Sequence, residues 1–134
     1  MSRTDIAEKL KEHGLLPTAQ RVEVAELMLS RPQHLSADQI IDQLHRAGSR
    51  VSKATVYNCL KAFSETGLLK EITVDATRKF YDTTTNPHHH VYHVETGELT
   101  DIPADRISIM DLPPLPKGTE QYGVEVLIRV RNKQ

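Results

Sequence analysis

The stretch SADQIIDQLHRAGSRVSKATVYNCLKAFSETG, residues 36–67, decides the fold. It begins with a capping box, in which Ser36 is followed three residues later by Gln39, and apolar residues then recur at helical spacing. Gly48 lies in a short connection, after which Ser52 can cap a second helix. Two helices joined by a short turn that contains glycine are typical of a helix-turn-helix unit.

The second of these helices has a polar beginning, and helix-turn-helix geometry places that end against the bases of the major groove. The net charge of the chain is −1, but residues 46–61 contain four basic residues and no Asp or Glu. Such a local patch suffices for DNA binding, although a basic run is more often only a solvated helix face. The residues predicted to contact DNA are Arg50, Ser52, Lys53, Thr55, Tyr57, Asn58 and Lys61.

The flanking sequence extends this unit in both directions. Helical patterns before it predict two further helices, the first capped by Thr4 or Asp5 and the second by Thr18. After this unit, apolar residues recur at every second position, and residues 72–81 predict a β-hairpin that forms the wing of a winged helix. The polar run Thr-Thr-Thr-Asn-Pro at 83–87 has turn chemistry. We therefore expect a winged helix-turn-helix domain at 1–82, a hinge at 83–87 and a second domain at 88–134.

The expected fold class is α+β, with a small α/β dimerisation domain at the C-terminal end. Strands are predicted at 88–94, 99–102 and 123–131, around a Pro-rich irregular stretch at 111–118. A domain of about fifty residues is marginal alone, and the single cysteine, Cys59, rules out a disulfide or a cysteine-only zinc site within one chain. Pairing with a second copy supplies the missing stability, and a homodimer presents two recognition helices to a palindromic DNA site.

Metal-ligating residues are concentrated around the hinge. Asp82 precedes it, His88, His89 and His90 follow it, and Asp101 falls on the next predicted strand. Imidazole nitrogens and carboxylate oxygens together suit a first-row transition metal. In an extended chain His88 and His90 point to one face, while His89 points to the other and shares that face with His93. The second pair is an alternative, weaker site.

Several other classes of protein are not expected. No apolar run approaches the length of a membrane span, and acidic residues in the amphipathic N-terminus do not fit a signal peptide. A reducing cytoplasm is the simplest compartment for a chain with one cysteine. No His-Glu-x-x-His or comparable pairing of metal ligand and general base occurs, so an enzyme is not expected.

A series of motifs runs through nearly the whole chain in a fixed order. They are Leu16-Pro-Thr-Ala-Gln-Arg21, His34-Leu-Ser-Ala37, Val51-Ser-Lys-Ala-Thr-Val-Tyr57, Gly67-Leu-Leu69, His88-His-His90 and Thr96-Gly97. Together they resemble the ferric uptake regulator family. Within it, Tyr57-Asn58, Phe80-Tyr-Asp82, the histidine triplet and the C-terminal tail look most like the iron-response regulator branch. The Asp82 pattern is also similar to the peroxide-sensing branch.

The resemblance implies a regulatory metal site that takes ligands from both domains. Its ligands would be His34, Asp82, His88, His90 and Asp101. They would bind Fe²⁺ or Mn²⁺, or Zn²⁺ in vitro. The iron-response branch implies haem as the alternative cofactor, with the triplet His88–His90 implicated and His93 beside it. The structural zinc that many members hold through paired cysteines should be absent, because His93 and Thr96 stand at the first pair.

The implied function is a metal- or haem-responsive transcription repressor of iron-homeostasis genes. Two alternatives stay open: a peroxide-stress regulator that senses through Fe or Mn, and a winged-helix regulator that needs no ligand. The resemblance also leaves both signs of regulation open. Metal-loaded protein binds DNA in most of the family, whereas the iron-response branch binds DNA when iron is scarce.

Overall fold

Four helices and a three-stranded sheet form Met1–Thr85, the first of two units in the computed structural model, which describes residues 1–134. In order, the elements are α1 (Arg3–Glu12), α2 (Ala19–Leu29), β1 (His34–Ser36), α3 (Ala37–Arg46), α4 (Lys53–Glu65), β2 (Lys70–Thr73) and β3 (Lys79–Asp82). The sheet order is β1-β3-β2, with both pairs antiparallel. The predicted helix-turn-helix is therefore α3 and α4, and β2 and β3 form the wing.

Side chains cap three of the helices where the sequence predicts. The hydroxyls of Thr18, Ser36 and Ser52 each accept a backbone N–H from the first turn of α2, α3 and α4. At α3 the capping box is complete, since the Gln39 side chain in turn accepts the Ser36 N–H at 2.9 Å. These bonds satisfy donors that a helix start leaves without an intrahelical partner.

The predicted start of α1 is wrong. The helix begins at Arg3, and Ser2 is its N-cap rather than Thr4 or Asp5. Asp5 instead completes a capping box: its N–H donates to the Ser2 hydroxyl at 3.1 Å, and its carboxylate accepts the Ser2 N–H at 3.0 Å. The hydrogen bonds from the backbone and side chain of Ser2 lower the pKa of Asp5, because they favour the charged carboxylate.

One apolar cluster joins the four helices to the sheet of this unit. Phe63 of α4 lies at its centre with no exposed surface, and the other buried members come from every helix. Cys59 is buried in the same cluster, and burial raises the pKa of its thiol. Between α3 and α4 the chain turns at Gly48, whose φ of 88° lies in the left-handed region that glycine adopts readily.

The second unit, Asn86–Gln134, is a smaller sheet. It contains β4 (His89–His93), β5 (Leu99–Ile102), a 3₁₀ turn at Ala104–Arg106 and β6 (Leu127–Val130). The central strand β4 pairs antiparallel with β5 and parallel with β6. The last strand is predicted over 123–131 but spans only Leu127–Val130, which pair with His90–His93. The preceding Val126 N–H donates to the His89 side chain instead of continuing the backbone pairing.

Few apolar side chains are buried within this second unit. Tyr92 and Leu99 are its buried large apolar residues, whereas the apolar cluster described above belongs entirely to the first unit. Residues 107–126 form no regular secondary structure and include Met110 and Tyr122, both highly exposed. No helix in either unit has the length and hydrophobicity of a membrane span.

Candidate functional site

Three of the five predicted metal ligands meet in the C-terminal unit. His90 on β4 and Asp101 on β5 are directly opposite each other in the antiparallel register, which places their side chains next to one another. Asp101 Oδ1 lies 3.2 Å from His90 Nε2 and 3.5 Å from His88 Nε2. The two rings are 4.4 Å apart between centroids, and candidate ligand atoms of all three residues lie within 4.8 Å of one another.

The hydrogen bonding of His88 prepares it to bind a cation. Its Nδ1 lies 2.7 Å from the carbonyl oxygen of Asn86, which can only accept, so Nδ1 carries the proton. In the neutral ring Nε2 then has its lone pair directed towards Asp101. Two acceptors that face each other repel unless a proton or a cation lies between them. A ring held through Nδ1–H by a backbone carbonyl is also the usual arrangement of a metal-ligating histidine.

The donor set fits a divalent transition metal. Two imidazole nitrogens and a carboxylate oxygen suit Fe²⁺, Mn²⁺ or Zn²⁺. His88 and His90 are almost fully buried, while the Asp101 side chain is half exposed, so an ion would reach them from the Asp101 side. The Asn86 carbonyl was not predicted as part of the site, because a backbone group leaves no signal in the residue pattern.

The other two predicted ligands meet in the N-terminal unit. His34 on β1 and Asp82 on β3 are paired in the antiparallel register. The His34 ring stands edge-on to Phe80, 6.3 Å away between centroids. Asp82 is 1% exposed, and its Oδ1 accepts the Thr84 N–H at 2.8 Å. A carboxylate buried so deeply needs hydrogen bonds or a cation to compensate for its lost hydration.

The alternative second pair, His89 and His93, lies on the opposite face of β4. Both rings form hydrogen bonds within the C-terminal unit. His89 Nδ1 accepts the Val126 N–H at 2.9 Å, and His93 Nε2 lies 2.9 Å from the Asn132 side-chain oxygen. These contacts hold the end of the chain on the sheet. A metal or haem at this pair remains a prediction from the sequence.

The predicted DNA-contacting residues lie on and just before α4. Lys53, Tyr57 and Lys61 are exposed and four residues apart, so they form one stripe along the helix. Asn58 is exposed beside this stripe, and Arg50 is exposed in the turn before the helix. The stripe lies away from the buried residues of α4, which are Val56, Cys59, Leu60 and Phe63.

Two of the predicted DNA contacts already have a structural role. The Ser52 hydroxyl accepts the Thr55 N–H at 3.1 Å and bonds to the Thr55 hydroxyl at 2.9 Å. The structure also adds a neighbour that was not predicted: an open cleft of about 350 Å³ separates α4 from the beginning of α2. The residues that line it on the α2 side belong to Leu16–Arg21, one of the motifs that resemble the ferric uptake regulator family.

Comparisons with known proteins agree on one family. The model of the ferric uptake regulator family matches residues 12–117. The chain is 36% identical over 94 residues to the peroxide operon regulator of Bacillus subtilis, a match that covers 70% of this chain and 65% of that protein. It is 30% identical over 92 residues to the peroxide-responsive repressor PerR of Staphylococcus aureus, covering 69% of this chain and 62% of the other.

Solved structures give the same answer. The ferric uptake regulator of Pseudomonas aeruginosa, determined with manganese, matches with a TM-score of 0.72 and 25% identity, and the match covers 100% of both chains. The fold of the two units agrees with the family match and with the curated relatives. This chain belongs to the ferric uptake regulator family.

Proposed function

We propose that this protein is a DNA-binding transcription regulator that responds to a divalent metal ion. The observation that carries the proposal is the placement of His88, His90 and Asp101, with the Asn86 carbonyl holding the His88 ring in the tautomer that binds metal. The exposed stripe on α4 supplies the surface for DNA. A metal site and a DNA-reading helix in one chain favour a regulator whose DNA binding changes when the ion binds.

We further propose that His34 and Asp82 complete the coordination of the same ion. Each unit already holds its own ligands on paired strands, His34 with Asp82 and His90 with Asp101. An ion bound by both sets would fix the two units relative to each other, and so set the spacing of the recognition helices in a dimer. Binding of metal and binding of DNA would then be reciprocally coupled, by about 1–3 kcal/mol.

Iron or manganese is the proposed ion. The manganese in the Pseudomonas aeruginosa structure supports this choice, and carboxylates beside imidazoles tolerate both metals. One curated relative is named a peroxide operon regulator and another a peroxide-responsive repressor, which favours peroxide sensing as a second candidate function. Fe²⁺ reduces hydrogen peroxide and Mn²⁺ does so far less readily. A peroxide sensor should therefore lose its ion-dependent DNA binding on peroxide treatment when loaded with Fe²⁺ but not with Mn²⁺.

Haem, the alternative cofactor, has weaker support. The rings of His88 and His90 are buried and only 4.4 Å apart, and a carboxylate faces both. This crowding suits a small cation better than an axial ligand to a porphyrin. We also propose that the protein controls iron-homeostasis genes. The affinity measurement described below shows whether iron raises or lowers DNA binding. An absorption spectrum after addition of haem tests the cofactor, since ligation by histidine would give a sharp Soret band that His88→Ala removes.

We propose that the functional form is a homodimer formed through the C-terminal unit. This unit buries few apolar side chains of its own while leaving Ile109, Met110, Leu112, Leu115 and Tyr122 exposed. So small a core stabilises a sheet of this size poorly. A two-fold dimer would also match a palindromic duplex. Sedimentation equilibrium should therefore give twice the chain mass at micromolar concentration, and a monomer would contradict the proposal.

The main experiment measures DNA affinity against bound ion. A binding duplex is first selected from random DNA with the wild-type protein, and its dissociation constant is then measured with Fe²⁺, Mn²⁺, haem and a chelator. We expect Fe²⁺ or Mn²⁺ to change the affinity about 5- to 150-fold relative to the chelator. Equal affinity under all four conditions would support the ligand-free regulator instead.

Matched variants assign the effect to the site. The double variant His88→Ala, His90→Ala should abolish the response to the ion and still bind DNA with one fixed affinity. His13→Ala and His45→Ala, which remove histidines that bond only to nearby carbonyls, should respond as the wild type does. A full response in the double variant would show that the ligands have been assigned wrongly.

A further inference from the structure

We propose that the open cleft between α2 and α4 receives a phosphate of the DNA duplex, and that the Gln20 side chain donates a hydrogen bond to it. The proposal rests on the DNA-binding function proposed above and extends the DNA surface beyond α4. Gln20 would position α4 in the groove and would not read the sequence itself.

One wall of the cleft is formed by α4, and the other by the start of α2 together with the residues just before it. Its volume is about 350 Å³. Its lining residues are Thr55, Asn58 and Cys59 on the α4 side, and Leu16, Thr18, Gln20 and Arg21 on the other side. Asn58 is a predicted DNA contact, and Gln20 is exposed across the cleft from it. A duplex that reaches Asn58 therefore passes over the opening of the cleft.

The α2 wall is held in place by hydrogen bonds. The Leu16 carbonyl accepts from the Thr18 N–H at 2.9 Å and from Arg21 Nη1 at 3.0 Å. The Thr18 hydroxyl in turn accepts the Arg21 N–H at 3.3 Å and caps α2. Gln20 thus projects from a backbone that is already fixed, so the entropy lost on contact with DNA is mainly that of its own side chain.

The charges around the cleft suit an anion. Arg21 is its only charged lining residue, no carboxylate lines it, and the first turn of α2 contains no acidic residue. Lys53 and Lys61 add positive charge along the exposed stripe of α4. A duplex that receives α4 in its major groove has phosphates along both edges of that groove, and Asn58 of α4 lines the cleft together with Gln20. A phosphate is the group that a duplex presents there.

The test uses the duplex selected with the wild-type protein, together with a random duplex, over a range of salt concentrations. Gln20→Ala should weaken binding to both duplexes by about tenfold, the effect of losing a hydrogen bond to a charged group. The preference for the selected duplex and the dependence of affinity on salt should not change, because Gln20 is neutral. Lys53→Ala, in contrast, should weaken the salt dependence by about one unit of slope.

Charge variants at the same position make the test sharper. Gln20→Lys should tighten binding and steepen the salt dependence by about one unit of slope, as one added phosphate contact requires. Gln20→Glu should bind more weakly than Gln20→Ala. The control is Gln121→Lys, which adds the same charge at an exposed position of the C-terminal unit. Equal effects of the two lysine variants would overturn the proposal, as would a change of base preference in Gln20→Ala.

The outcomes separate this inference from the function on which it rests. If Tyr57→Ala and Lys53→Ala leave DNA binding unchanged, the proposed DNA surface is wrong as a whole. If both weaken binding while all three Gln20 variants behave as the wild type, only the cleft is wrongly assigned.

Discussion

Asp101→Asn is the most direct test of the metal centre, because one carboxylate oxygen faces both histidines. Asp101 Oδ1 lies 3.2 Å from His90 Nε2 and 3.5 Å from His88 Nε2. Asparagine keeps the size and shape of the side chain but removes the negative charge that an ion would neutralise. Loss of a group that orients a ligand already costs 10- to 100-fold in metal affinity. We therefore expect a loss of at least about 100-fold for a direct ligand.

This loss can be measured as a change in stability. An ion present at about 100 times its dissociation constant raises the free energy of unfolding by about 2.7 kcal/mol. If the substitution weakens binding about 100-fold, the same ion concentration equals the new dissociation constant and contributes only about 0.4 kcal/mol. The variant should thus lose about 2.3 kcal/mol of the stabilisation by metal. Without metal the variant should be at least as stable as the wild type, because asparagine removes the repulsion between the carboxylate and His88 Nε2.

The assay is urea unfolding followed by circular dichroism, with Mn²⁺ or with a chelator, at one fixed protein concentration. Asp105→Asn is the control, since Asp105 is exposed in the 3₁₀ turn of the same unit and carries the same charge. Asp105→Asn should keep the full stabilisation. The reasoning is refuted if Mn²⁺ stabilises Asp101→Asn as strongly as it stabilises the wild type.

Three further predictions concern the fold. Ser36→Ala removes the N-cap of α3 and should lower the free energy of unfolding by about 1 kcal/mol. Ser108→Ala, in an exposed segment, should change it little, and equal urea midpoints for Ser36→Ala and the wild type would contradict the capping role. Phe63→Ala creates a cavity in the main core and should lower the free energy of unfolding by about 3–5 kcal/mol, seen as a large fall in melting temperature. Ile128→Ala, at a half-exposed position, should have a smaller effect. Burial raises the pKa of Cys59, so its thiol should react more slowly with a thiol reagent in the folded protein than after unfolding in urea. Equal rates in the two states would show that the thiol is accessible.

Local chemistry made the helical part of the fold predictable. Thr18, Ser36 and Ser52 were identified as caps because a cap depends on residues within one turn of the chain. The predicted start of α1 is wrong for a related reason. Several side chains that could cap a helix occur together there, and only the reciprocal hydrogen bonds between Ser2 and Asp5 decide between them.

Pairing between distant residues was harder to predict. The three residues of β1 form a strand because they pair with β3, which follows much later in the chain, and no periodic pattern is visible in so short a segment. The start of β6 depends in the same way on how much of β4 is available as a partner. The clustering of histidines and acids indicates the proposed metal site, but the contact between His90 and Asp101 follows from a strand register that composition does not encode.

Val126 is hydrogen-bonded to two neighbouring residues of β4, the strand that carries the proposed ligand His90. Its N–H donates to the His89 ring at 2.9 Å, and its carbonyl accepts the His90 N–H at 3.1 Å. A small displacement of His90 towards a captured ion would alter the electronic environment of this one peptide group. The amide resonance of Val126 in a nitrogen-15 correlation spectrum should thus shift on capture of diamagnetic Zn²⁺ and broaden on capture of paramagnetic Mn²⁺. It would follow titration of the ion in a chain that has no tryptophan to provide a fluorescence signal.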